Sequence, residues 1–139
     1  MPAMIDGILE TALYVTDIER SAAFYERVLG FKRLLADDRL IGMAVADSRQ
    51  ILLLFKIGAS TQPSPMHGGL IPAHDGQGSL HAAFAISESN LPNWRIQLSE
   101  NDVPIESELV TDRGGTSLYF RDPDNHLIEL ATPGIWPTY

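Results

Sequence analysis

One order of elements, strand–helix–strands, occurs twice in this chain and limits what it can fold into. Residues 8–15, ILETALYV, alternate as a strand does: Leu9, Thr11, Leu13 and Val15 share one face, and Ile8, Glu10, Ala12 and Tyr14 the other. A helix is expected next. Thr16 and Glu19 have capping-box spacing, and Ile18, Ala22, Tyr25 and Leu29 form an apolar stripe. Gly30 suits the left-handed position that ends a helix, and Phe24 and Tyr25 are expected to pack helix on sheet. Strands follow near Lys32–Leu35, Leu40–Val45 and Gln50–Ile57, with Asp47-Ser48-Arg49 as the turn between the last two. After a break the pattern returns. LHAAFAI at 80–86 reads as a strand and Leu91–Glu100 as a helix, with Pro92 in its first turn and Trp94 and Leu98 toward the core. Strands near Ser117–Arg121 and His126–Ala131 then flank the turn Asp122-Pro123-Asp124-Asn125.

The two passes align as an internal repeat that sets Glu10 against His81, Asp47 against Asp122 and Leu54 against Glu129. Each half is too small to bury a sheet face well, and together they can make one curved layer. The expected organisation is a first module at 1–57, a linker or lid loop at 58–78 and a second module at 79–139. The middle segment, GASTQPSPMHGGLIPAHDGQG, holds five glycines and three prolines and lacks apolar periodicity.

Charge and composition exclude several roles. Of 139 residues, 10 are Lys or Arg and 18 Asp or Glu, a net charge of −8. Residues 71–139 carry 3 basic and 10 acidic groups, so no basic stripe exists to hold a phosphate backbone, and nucleic acid is not an expected partner. Cysteine is absent, which removes disulfides, thiolate ligands and cysteine nucleophiles and fits a reducing cytoplasm. The longest aliphatic and aromatic run, Ile51 to Phe55, is too short to cross a bilayer, and Met1 to Gly7 does not read as a signal peptide. The expected partners are small molecules or other proteins, met in the cytoplasm.

Three side chains sit where apolar ones are expected. Glu10 interrupts GILETALYV, Glu129 interrupts HLIELA, and His81 opens an apolar strand at the position that mirrors Glu10. Burying an unpaired carboxylate costs several kcal/mol, so such a group must be protonated, paired or metal-bound unless its strand face is wet. Two carboxylates and a neutral imidazole suit one divalent cation, Mn²⁺, Fe²⁺, Ni²⁺, Co²⁺ or Zn²⁺, with positions left for water and substrate. Taken singly, each has a plainer reading, a solvated strand glutamate or a satisfied core histidine.

The segments ETALYVTDIERSAAFYERVLGF at 10–31, HAAFAI at 81–86 and GGTSLYFRDPDNHLIELATPG at 114–134 resemble the vicinal oxygen chelate superfamily of glyoxalases, bleomycin-resistance proteins, fosfomycin-resistance enzymes and extradiol dioxygenases. The resemblance implies an α+β fold of two βαβββ modules forming an open curved mixed sheet around a metal site. It places the metal ligands on Glu10, His81 and Glu129. It also implies a homodimer in which Glu10 meets His81 and Glu129 of the partner chain. Departures shape the chemistry. Thiol-dependent glyoxalases use a fourth ligand where the repeat alignment puts Leu54, and an alkyl chain cannot ligate. Ring-cleaving dioxygenases and fosfomycin enzymes begin the ligand set with histidine, where Glu10 stands here. The fosfomycin enzymes also carry a cationic loop, for which LVTDRGGTS offers only Arg113. Drug-sequestering members lack the triad.

The expected function is a divalent-metal-dependent lyase, isomerase or group transferase that stabilises an oxyanion on a small oxygen-chelating substrate. A ring-cleaving Fe²⁺ dioxygenase and a non-enzymatic protein for aromatic or drug-like ligands are the alternatives. Tyr119 is the candidate acid, and Glu10 doubles as a base. Tyr14, His74, Ser117 and Arg121 are pocket candidates, and His67 ranks below His74. Trp136 is expected to pack on a module or subunit surface.

Overall fold

The computed structural model describes residues 1–47 and 49–139. The expected Asp47-Ser48-Arg49 turn therefore lies, at Ser48, outside the described residues. The chain divides into two compact units, Met1–Gln77 and Gly78–Tyr139.

In the first unit, β1 (Glu10–Val15) leads into α1 (Ile18–Phe24), a π-helical turn (Tyr25–Leu29), β2 (Lys32–Ala36), β3 (Leu40–Ala44) and β4 (Ile51–Lys56). The strand order is β1-β4-β3-β2, with β1 parallel to β4 and the other pairs antiparallel. The helix is the crossover that a parallel pair needs. Its cap is Asp17, not Thr16: Asp17 is the extended residue, and its Oδ1 accepts the Arg20 N–H at 3.0 Å. Gly30 closes the π turn at φ 73°. Leu13, Val15, Ile41, Met43, Leu52 and Leu54 bury one face of the sheet beneath Ile18, Ala22 and Tyr25. At about 1.5–3 kcal/mol per large apolar side chain, this face holds the unit together. The opposite face of β1 carries Glu10, Ala12 and Tyr14.

Residues 58–77 belong to this unit and are tied down. Ser64–Met66 (β5) pairs with Gly69–Ile71 (β6), the Gly58 N–H donates to Asp75 at 3.1 Å, and the His74 N–H to the Ser60 carbonyl at 2.9 Å. This hairpin was not expected from the sequence.

The second unit repeats the plan: β7 (His81–Ala85), α2 (Leu91–Glu100), β8 (Ser107–Val110), β9 (Thr116–Arg121) and β10 (Leu127–Ala131), in the order β7-β10-β9-β8 with β7 parallel to β10. Leu118, Phe120, Ile128, Leu130 and Leu98 are buried, while Trp94 is half-buried. The other face of β9 and β10 therefore carries Ser117, Tyr119, Arg121 and Glu129. Among the described residues no helix is long and apolar enough to cross a membrane.

The register corrects the repeat alignment by one residue. Ala12 opposes Leu53 in the first unit and Ala83 opposes Glu129 in the second, so Leu53, not Leu54, is the counterpart of Glu129. Leu54 points into the buried core. The chemical conclusion survives, because Leu53 cannot ligate either.

Candidate metal centre

The second sheet assembles its site from three adjacent strands. His81 is the first residue of β7 and opposes Leu127; Glu129 in β10 lies between Ala83 of β7 and Tyr119 of β9. Glu129 is 7% exposed, which makes it the buried carboxylate that needs an explanation. One oxygen is accounted for: the Ser117 hydroxyl donates to Oε2 at 2.6 Å. The other, Oε1, lies 3.3 Å from His81 Nε2.

The imidazole orientation follows from its second nitrogen. His81 Nδ1 is 2.8 Å from the Leu127 carbonyl oxygen, which can only accept, so Nδ1 carries the proton. In the neutral ring Nε2 is then a lone pair facing a carboxylate oxygen. Two lone pairs in that position need a positive charge between them, either a proton or a cation. A histidine that holds a metal donates its other N–H to a carbonyl or carboxylate, as His81 does here. Two donors about 2.1 Å from one ion at a tetrahedral angle lie about 3.4 Å apart, close to the 3.3 Å seen. The His81 side chain is 49% exposed, so the outer side of the pair is open. The residues present fit a divalent ion held through one nitrogen and one oxygen.

Glu10 belongs to the first unit. It is the exposed first residue of β1, opposite Ile51, so its strand face is wet. Among the described residues no three His, Asp or Glu side chains of one chain gather to hold a metal.

The remaining candidates separate into three groups. Tyr119, half-buried, lies beside Glu129 and lines the same cleft of about 480 Å³. Ser117 orients Glu129 and is buried. Arg121 is committed elsewhere. Its guanidinium holds both Glu106 oxygens, at 3.2 and 3.0 Å, and keeps that carboxyl below its ordinary pKa. Tyr14 and His74 form a pair of their own in the first unit, Oη to Nδ1 at 2.7 Å, with the His74 ring edge-on to Phe55 at 4.5 Å. The returning strap lies directly on the Tyr14 ring. A Cβ at Gly76 would come within 2.4 Å of it, so only glycine allows that approach. His67 is exposed.

Sequence reasoning missed the tail. Ile135, Trp136 and Tyr139 line the cleft with His81 and Glu129, and Trp136 is 68% exposed in the single chain. The paired glycines Gly115 and Gly134 were the available signal: a Cβ on Gly134 would sit 2.4 Å from the Gly115 nitrogen.

Residues 7–130 match the family described as Glyoxalase/Bleomycin resistance protein/Dioxygenase superfamily. The metallothiol transferase FosB of Lysinibacillus sphaericus (strain C3-41) is 32% identical over 130 residues, covering 92% of this chain and 83% of the relative. FosB of Staphylococcus epidermidis is 31% identical, covering 93% and 85%. Among solved structures, lactoylglutathione lyase from Agrobacterium tumefaciens superposes with a TM-score of 0.86 at 28% identity, covering 96% of this chain and 98% of that one. A mutant of the fosfomycin resistance protein FosX from Listeria monocytogenes, complexed with Mn(II) and 1S,2S-dihydroxypropylphosphonic acid, shares the fold at a TM-score of 0.66 and 22% identity, covering 91% and 90%.

Proposed function

Because this chain belongs to the Glyoxalase/Bleomycin resistance protein/Dioxygenase superfamily, we propose that it is a divalent-metal-dependent enzyme acting on a small substrate that presents two oxygens. The reaction classes are lyase, isomerase and group transfer, and similarity to metallothiol transferases at 31% and 32% identity supports group transfer. The observation that carries the reading is the His81–Glu129 pair, with Nδ1 anchored on a carbonyl and Nε2 facing a buried carboxylate oxygen.

His81 and Glu129 hold the ion, and Glu10 of a second copy supplies the third ligand, making a homodimer with shared sites. The absence of cysteine fits work in a reducing cytoplasm. The bound dication supplies Lewis acidity toward substrate oxygens. Ser117 keeps Glu129 aimed, its hydroxyl donating to one carboxylate oxygen and leaving the other toward His81. Tyr119 holds a phenolic proton beside that carboxylate and offers it to an oxygen that gains charge. Glu10, exposed at its strand end, takes a proton from substrate.

Metal uptake tests the proposal. The wild-type protein binds about one divalent ion per chain, and Glu129→Ala and His81→Ala each abolish that uptake. Stoichiometry unchanged in both variants defeats the reading. So does ligand binding that is equally tight in chelator, which describes a sequestering protein.

A further inference from the structure

The cleft around His81 and Glu129 has a second end, which the metal reading leaves unexplained. Beyond the ligand pair its floor is made of small side chains, Ala83 and Ala85 on β7 and Ala131 on β10. From His81 to Ala85 is four strand steps, about 13 Å, and from Glu129 to Ala131 about 7 Å. Over this floor stands Trp136, 68% exposed.

Trp136 is held there by an anchored tail. The Thr111 hydroxyl donates to the Gly134 carbonyl at 2.7 Å, and the Gly134 N–H to the Tyr139 carbonyl at 2.8 Å. The Tyr139 hydroxyl sits on the Ala131 and Ile86 carbonyls, at 2.9 and 3.2 Å. Gly134, at φ +109°, meets Gly115 with no room for a Cβ. A tryptophan left in water on a backbone fixed this firmly is a recognition surface. An indole lining the same cleft as an alanine floor offers apolar surface to a flat ring.

We infer that Trp136 is a specificity-determining residue, selecting substrates that carry an aromatic ring beside their chelating oxygens, about two strand steps from Glu129. The polar end takes the oxygens and the apolar end takes the ring. The inference rests on the metal reading for the first half of that statement and on the tail for the second. It sets the substrate apart from small, wholly polar oxygen chelators, which leave the apolar end filled with water.

Mandelate and lactate share a vicinal hydroxyl and carboxylate and differ by the phenyl ring. With Mn²⁺ present, calorimetry on the wild-type protein gives mandelate at least about tenfold tighter than lactate. Trp136→Ala reduces that preference to about threefold or less with lactate affinity unchanged, while Trp136→Phe retains it. Ala85→Leu, which fills the apolar end from the floor, lowers mandelate affinity alone. It keeps the test alive if Trp136→Ala loosens the tail. In a Trp94→Phe background the emission comes from Trp136 alone and is quenched saturably by mandelate. A wild-type ratio near one, or a preference untouched by both Trp136→Ala and Ala85→Leu, overturns the inference. Mn²⁺ uptake is read separately, from loss of the free-ion electron paramagnetic resonance signal. Mn²⁺ bound with no ring preference sinks the inference and spares the metal reading. Mandelate preferred through Trp136 with no Mn²⁺ bound does the reverse.

Discussion

Replacing Ser117 with alanine removes one atom group and tests whether Glu129 is held for a purpose. The hydroxyl lies 2.6 Å from Oε2, and both residues are buried, so water cannot replace the lost donor without opening the sheet. A hydrogen bond to a charged group contributes about 1.5–3 kcal/mol, and the apo protein should lose stability of that order. With metal the carboxylate also loses the contact that fixes its rotamer. Removing such a supporting group weakens metal binding by about 10- to 100-fold. Urea unfolding of the apo protein gives the first quantity and Mn²⁺ titration the second. The reasoning fails if Ser117→Ala is destabilised as expected but binds Mn²⁺ within about twofold of wild type. The serine would then support the sheet only, and Glu129 would not be a ligand.

Three further outcomes follow from the same structure. Leu53→Glu places a carboxylate at the counterpart of Glu129, on the Glu10 face of the first sheet, and should tighten Ni²⁺ binding by about tenfold or more; unchanged affinity would remove Glu10 from the ligand set. Gly134→Ala puts a Cβ 2.4 Å from the Gly115 nitrogen at a φ that disfavours side chains, and should cost about 2 kcal/mol or more in thermal or urea unfolding. Arg121→Gln should leave Mn²⁺ affinity alone and change how stability depends on pH. Glu106 is held below its ordinary pKa, so its pairing stabilises the fold above that ordinary value and fades as pH falls through the lowered one. The variant should therefore show a smaller difference in unfolding midpoint between neutral and acid pH, and the pair's exposure keeps the effect small.

How much of this the sequence disclosed depended on which period carried the signal. α2 is found at the residues expected, Leu91–Glu100, because Pro92 and the apolar spacing agree. β8 was invisible: Ser107–Val110 is exposed throughout, paired only at its β9 edge, and tied to α2 by the Arg95–Glu108 ion pair. The slip between Leu54 and Leu53 has a simple cause. β4 reads ILLLFK, and an all-aliphatic run does not say which residues face the core, while one residue of shift exchanges the faces. Glu10 differs from Glu129 in exposure for a related reason. Its sequence neighbours are apolar, but its face-mates on β1, Ala12 and Tyr14, leave it in water, whereas Glu129 is buried by strands on both sides. Arg121 shares a face with Tyr119, yet nothing local reveals that Glu106 claims its guanidinium. The tail was unreadable because its position depends on a backbone contact between two glycines 19 residues apart.

A subunit-mixing experiment asks most directly whether these donors hold one ion between two copies of the chain. Glu10→Gln and Glu129→Gln proteins, each unable to bind Mn²⁺ alone, are unfolded together, refolded as hybrids and titrated. One site in each hybrid pair then regains an intact Glu10 opposite intact His81 and Glu129, and about one Mn²⁺ per pair is the predicted result. Hybrids as metal-free as their parents would contradict the account.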